Sequence, residues 1–156
     1  MLEKILSEKA RILKFATVGA SGTVVNLAVV WLGNTLLFTA LGEPHQTWMS
    51  YALAIIVSIF SNYIFNYHWT WRDRKGQGAA YFFLHLLKYY LTSMAAAGLQ
   101  FLIANGLIVV LFAGSVAVPV FWKMGAALAG IGTTGILSFL VHHFWNFNVP
   151  ASKKAM

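Results

Sequence analysis

Four stretches of the chain carry no Asp, Glu, Lys, Arg or His: residues 15–41, 48–67, 89–122 and 124–141. A helix needs about 20 apolar residues to cross the hydrocarbon of a bilayer, so each stretch predicts one crossing. Within the third, Gly114 and Pro119 predict a helix end near Phe112 and a short turn before the fourth. The stretches are continuously apolar, whereas the strands of a membrane barrel alternate with period two. Their backbone groups must then be satisfied inside each segment, which a helix does. The pattern predicts an all-α integral membrane protein with four transmembrane helices, at about 15–41, 48–69, 85–112 and 122–146. They form one domain over 15–148. An amphipathic segment, 1–14, precedes it and a tail, 149–156, follows.

Composition agrees. The chain of 156 residues is 59% hydrophobic and 10% charged, with a mean hydropathy of +0.69. Soluble domains carry about 25% charged residues, so too few remain here to cover a globular surface. The segment MLEKILSEKARILK is charged, and the run after it is long enough to stay as an anchor, so no cleaved signal peptide is expected. There are no cysteines, so disulfides and thiolate metal sites are excluded.

Placement of the basic residues predicts orientation. Lys4, Lys9, Arg11 and Lys14 precede the first helix; Arg72, Arg74, Lys75 and Lys88 lie between the second and third; Lys153 and Lys154 follow the fourth. The loops near Glu43 and Pro119 have no Lys or Arg, although Lys123 sits just inside the fourth helix. Both termini and the middle loop are therefore expected in the cytoplasm. Much of the net charge of +7 then faces anionic lipid headgroups.

The chain also repeats itself. RILKF (11–15) resembles HLLKY (85–89), and NYIFNYHWTW (62–71) resembles SFLVHHFWNF (138–147). Asn62 matches Ser138, Asn66 matches His142, Trp69 matches Trp145 and Trp71 matches Phe147. Two helical hairpins, both starting in the cytoplasm, make a parallel repeat, which places a shared site at the interface between halves.

Residues four apart share a helix face. Ser58, Asn62 and Asn66 form such a stripe, matched by Thr134, Ser138 and His142. Gly19, Thr23 and Asn26 line the first helix, and Ser93, Ala97 and Gln100 the third. Polar side chains facing lipid are costly, so the stripes should point inward. They act either as interhelical glue worth roughly 0.6–2 kcal/mol per bond or as the wall of a polar groove. The small residues of GAALAGIGTTG (125–135) predict close helix packing. Trp69, Trp71, Trp145 and Phe147 sit where an aromatic belt is expected, and Trp69 and Trp145 could also stack on a sugar.

No Asp or Glu lies inside a crossing, so a carboxylate proton relay is excluded. Only His142 and His143 could titrate there. They are adjacent, and so point about 100° apart on a helix, which argues against a metal site. No acyl-transfer triad, Gly-rich phosphate loop or acidic metal motif is present. No soluble segment is long enough for a nucleotide-sugar domain, so neither catalysis nor a cofactor is expected. The basic residues flank membrane runs instead of lining a soluble face, which argues against nucleic acid.

KFATVGASGTVVN opening the first helix, NYIFNYHWTWR closing the second and SFLVHHFWNF closing the fourth resemble the GtrA-like family. These are small four-helix membrane proteins of bacterial and archaeal cell-surface polysaccharide synthesis. The resemblance runs from about Lys14 to Asn148. It implies a multi-pass protein of the bacterial or archaeal cytoplasmic membrane that moves a polyprenyl-phosphate-linked sugar to the outer leaflet, where a membrane glycosyltransferase uses it. The alternative is a subunit that does not transport but anchors or recruits that transferase. A four-helix small-molecule exporter would need a glutamate in the first helix, which is absent. The family positions are Lys14, Phe15, Gly19, Thr23, Asn66, Trp69, Thr70, Trp71 and Arg72. Relatives often carry a basic residue near His143 and another near Asn148; this chain does not.

Crossing the bilayer with a phosphate-sugar headgroup requires pairing and hydrogen bonds along the way. The expected phosphate-binding residues are Lys14, Arg72 and Lys88, since arginine binds phosphate through two parallel hydrogen bonds. Asn26, Asn62, Asn66, Gln100, Ser138 and His142 are expected along the headgroup groove, with Trp69 and Trp145 stacking on the sugar. The expected partners are the lipid-linked sugar, membrane lipids, a membrane glycosyltransferase and a second copy of the chain, because one short chain is small for enclosing a path.

Overall fold

The computed structural model describes residues 2–74, 76, 78–112 and 119–147. They form four long helices and no strand: α1 (Leu2–Leu32), α2 (His45–Phe65), α3 (Ala79–Leu111) and α4 (Val120–Val141). With the widened turns that extend them, four segments are long and apolar enough to cross a membrane: Lys9–Leu37, His45–Thr70, Ala79–Leu111 and Phe121–Asn146. The protein is a multi-pass, four-helix membrane protein.

Two helices begin earlier than the hydropathy pattern alone indicates. α1 starts at Leu2, because LEKILSEKARILK is rich in strong helix formers and contains no Gly or Pro to stop it. α3 starts at Ala79, directly after Gly78. Gly78 has a φ of 92°, a conformation that only glycine adopts cheaply, and its carbonyl accepts the Phe82 N–H at 3.2 Å. Gly42, with a φ of 67°, makes the corresponding turn before α2.

The chain divides into two compact units, Met1–Leu86 and Leu87–Asn148. In the first, α1 packs along α2. A Cβ on Gly22 would fall on the Asn62 side-chain amide, and one on Gly33 would lie 2.9 Å from the Ser50 Cα. At Gly33 the backbones approach this closely only because the residue is glycine; at Gly22 the room that a Cβ would take is filled by the Asn62 side chain. Tyr63 on α2 and Tyr67 on the turn after it, both buried, pack edge-on against Phe82, and the Tyr63 hydroxyl donates to the Phe82 carbonyl at 2.8 Å. At the opposite end of α2, the Gln46 amide donates to the Asn34 carbonyl.

The buried faces of α2 and α4 follow one pattern. On α2 and the turn after it, Ser50, Ala54, Ser58, Asn66, Thr70 and Trp71 are buried, with Asn62 half-buried. On α4 and its extension, Ala126, Gly130, Thr134, His142, Asn146 and Phe147 are buried, with Ser138 half-buried. These seven positions match in order and spacing; Tyr63 and Tyr67, also buried, match Phe139 and His143, which are half-buried. The inward stripes expected on the second and fourth helices are thus present, whereas Gly19 and Thr23 of the stripe expected on the first helix, and Ala97 of that on the third, are exposed. Large apolar side chains on the remaining faces, such as Val24, Leu36, Ile56, Leu102 and Leu128, are exposed, as lipid contact requires.

Gly33→Ala should destabilise the protein by about 1–3 kcal/mol, because the Ser50 backbone cannot yield without parting the helices. Gly19→Ala, whose Cβ meets nothing within 4 Å, should leave stability unchanged. Thermal unfolding of both variants in detergent checks this.

Candidate functional site

The polar end of α2 does not finish as an ordinary helix. Residues Asn66–Thr70 form a turn widened by one residue, and the Trp71 N–H donates five residues back to the Asn66 carbonyl at 2.9 Å. The repeat does the same after α4: His142–Asn146 is widened, and the Phe147 N–H donates to the His142 carbonyl at 2.8 Å. A turn closed by five residues places Trp71 over Asn66, and Phe147 over His142, so the inward stripe continues into an aromatic ring. Both rings are fully buried. They are packing residues and not the belt side chains that their position in the sequence indicated.

The first helix of each hairpin supplies the contact. Phe15 meets Trp71 edge-on, with ring centroids 5.6 Å apart, and Tyr89 meets Phe147 at 6.5 Å. One residue earlier, Lys14 Nζ lies 5.7 Å from the Trp69 ring centroid, and Lys88 Nζ lies 5.3 Å from that of Trp145. Both distances fall within the range of attraction between a cation and a ring face. RILKF and HLLKY therefore do equivalent work: an aromatic residue goes inward and a lysine covers a half-exposed tryptophan. Trp69 and Trp145 keep 45% and 53% of their surface exposed.

In the first unit these residues open a polar cleft of about 480 Å³, lined by Arg11, Lys14, His68, Trp69, Thr70, Arg72 and Asp73. Of the expected phosphate residues, Lys14 and Arg72 meet here, next to Trp69. Arg72 is exposed and Lys14 half-buried. Arg11 adds a third cation. Its guanidinium donates to the Asp73 carboxylate at 2.8 Å, joining α1 to the turn after α2, and Arg74 approaches the same carboxylate at 3.9 Å. Sequence reasoning did not single out Arg11 or Asp73; nothing in the chain pairs residues so distant.

The other expected groove residues occupy several settings. Asn66 is buried and its Oδ1 accepts from the Thr70 hydroxyl at 2.7 Å, inside the widened turn. His142 is buried and stacked on Tyr89 at 4.2 Å, with Asn146 Nδ2 3.3 Å from its Nδ1. Both sit in the packing of a helix end, and not on the wall of the cleft. Asn62 lies half-buried against Gly22, and its Oδ1 atom is buried with no hydrogen-bond partner among the described residues. Asn26 is half-buried on α1. In the second unit Gln100 packs on Gly130, where a Cβ would stand 3.0 Å from the Gln100 carbonyl. Ser138 lines an apolar pocket with Trp145. Thr70 and Asn146 were legible in principle, since each stands four residues beyond the side chain it bonds.

Residues 14–154 match the family described as the GtrA/DPMS transmembrane domain. The chain belongs to the GtrA/DPMS family. The match takes in the first span from Lys14 onward, the other three spans whole, both lysine–tryptophan pairs and the widened turns after α2 and α4 of the GtrA/DPMS chain. Among curated proteins, it is 34% identical over 103 residues to a dolichol-phosphate mannosyltransferase of Pyrococcus furiosus. That similarity covers 65% of this chain and 26% of the relative, so the chain spans about a quarter of that protein's length.

Trp71→Ala should cost about 3–5 kcal/mol of stability, because a fully buried ring is lost from the helix end. Trp69→Ala, at a half-exposed ring, should cost well under half as much. Chemical or thermal unfolding of the two variants side by side separates a packing tryptophan from a surface one.

Proposed function

We propose that this GtrA/DPMS chain binds the phosphate-sugar headgroup of a polyprenyl-phosphate-linked sugar and carries it from the cytoplasmic to the outer leaflet of a bacterial or archaeal inner membrane. The observation that carries this reading is the cleft in the first unit. It gathers Arg11, Lys14 and Arg72 around the half-exposed face of Trp69 at the end of two membrane spans. Cations suit a phosphodiester, and a tryptophan face suits the apolar side of a sugar ring. By the positive-inside rule, this end of the spans is the cytoplasmic one.

Asp73 fits such a cleft as a placeholder. Its carboxylate holds Arg11 at 2.8 Å while itself 58% exposed. The Arg11 side chain is only 11% exposed, so the solvent-open carboxylate is the partner that an arriving phosphate can replace on the guanidinium. Arginine then engages two phosphate oxygens at once. The spans contain no acidic residue, so downhill movement, drawn by consumption of the lipid outside, fits better than proton coupling.

A second reading has its own support. The mannosyltransferase relative is about four times as long as the matched stretch. A similar membrane domain there forms part of a longer chain, and the present chain would do the same work as a separate anchoring subunit for a transferase.

The deciding measurement places the purified protein in liposomes with a polyprenyl-phosphate-linked sugar and follows headgroup exposure to an impermeant reagent. Wild type should accelerate exposure without added energy. Arg72→Ala and Lys14→Ala should each slow it about tenfold, the loss of one hydrogen bond to a charged group. No acceleration by folded wild type across several sugars, with co-purification of a transferase, would transfer the assignment to the anchoring subunit.

A further inference from the structure

The two units share a buried pattern, yet differ in volume at one matched position. In the first, the Asn62 amide fills the space over Gly22. In the second, Ser138 stands at the matching place and is smaller. A pocket of about 460 Å³ opens there, lined by Leu91, Thr92, Ala96, Leu99, Ser138 and Trp145 among others. Thr92 and Thr134, which also line it, turn their hydroxyls onto carbonyls of their own helices, Lys88 at 2.8 Å and Gly130 at 2.7 Å. Their polar atoms are engaged within the helix, and the pocket wall is apolar.

An engineered apolar cavity of roughly 150 Å³ in a soluble protein holds benzene, so this one admits a length of hydrocarbon chain. Within a bilayer, lipid tails are as apolar as leucine, and the hydrophobic effect does not select an occupant. Packing and the headgroup must do so. The headgroup is specified by charge: Lys88, one turn before Leu91, lies over Trp145 at one end of the pocket. An amphiphile with an anionic head at Lys88 and its tail along α3 and α4 satisfies both features.

We infer that this pocket is a tail-binding site. It takes the first isoprene units of a polyprenyl phosphate, with the phosphate at Lys88. The choice of an isoprenoid over an ordinary acyl chain rests on the lipid-linked-sugar function proposed above. The existence of an anionic-lipid tail site rests on the pocket and Lys88 alone.

The test uses the full chain in nanodiscs of phosphatidylethanolamine and phosphatidylglycerol. The probe is a polyprenyl phosphate with a diazirine near its head. Labelling should fall on residues 91–99 and 134–145, read by mass spectrometry of the peptides. Ser138→Phe, which fills the pocket, should cut it about tenfold, equivalent to 1.4 kcal/mol. Ser138→Leu serves if the larger side chain prevents folding, and thermal unfolding reports on both. Unlabelled polyprenyl phosphate should compete, whereas added phosphatidylglycerol should not. Labelling that persists in the folded filled variants, or that falls mainly on α1 and α2, overturns the site. Equal competition by phosphatidylglycerol overturns the isoprenoid assignment. If pocket labelling holds while liposomes show no headgroup movement, the proposed transport fails and the tail site stands. If liposomes show headgroup movement while no label reaches the pocket, the tail site fails and transport stands.

Discussion

Inside hydrocarbon no backbone N–H or C=O can be left to water, so a helix that must redirect its side chains there cannot simply break. Widening a turn by one residue is a solution that keeps every donor engaged. The bond from the Trp71 N–H to the Asn66 carbonyl is that solution, and the rest of the helix end follows from it. Because the turn is closed by five residues, Trp71 lies on the inward stripe, under Phe15, while Trp69 faces outward, under Lys14. Arg72 and Asp73 then emerge beside the start of the first span on α1, where Arg11 is waiting. An ordinary α-helical turn would leave the aromatic and basic residues in a different angular order.

The second unit shows how much of this arrangement is geometry and how little is residue identity. The bond between Asn66 and Thr70 becomes a contact between His142 and Asn146, Trp71 becomes Phe147, and Phe15 becomes Tyr89. The widened turn, the buried ring and the lysine over a tryptophan all persist. What does not persist is the cluster of arginines: in the sequence repeat His85 stands where the first unit has Arg11, and Asn148 where it has Arg72. The two units thus share a framework and differ in the groups they present.

The spans, the inward stripes of the second and fourth helices and the repeat were legible because each depends on periodicity and on the cost of polarity in lipid, both of which are written in residue type; Gly19 and Thr23 on α1 are exposed instead, since a glycine and a threonine bonded to its own helix carry little such cost. The widened turns were not. A shift from four-residue to five-residue bonding changes no side chain, and so Trp71 looked as much like a belt residue as Trp69 did. The settings of Asn66 and His142 were hidden for the same reason: a polar residue on an inward face can serve a groove or its own helix end, and only the bonding partner distinguishes them. Arg11 and Asp73 were invisible because their pairing depends on how α1 lies against α2. That approach is closest at Gly33, against the Ser50 backbone, and glycine in a membrane span reads only as a small residue.

From Ser50 and Ala126 to Trp71 and Phe147, every matched pair of buried residues keeps one constant separation along the chain. Side chains have been exchanged freely at these positions, serine for alanine and asparagine for histidine, but the count between them has not changed. Adding or removing one residue would turn everything beyond it by about 100° about the helix axis. The stripe would then swing into lipid and the closing ring would leave its neighbour. The second and fourth helices are therefore tolerant of chemistry and intolerant of length, a rigid ruler on which only the markings can be rewritten.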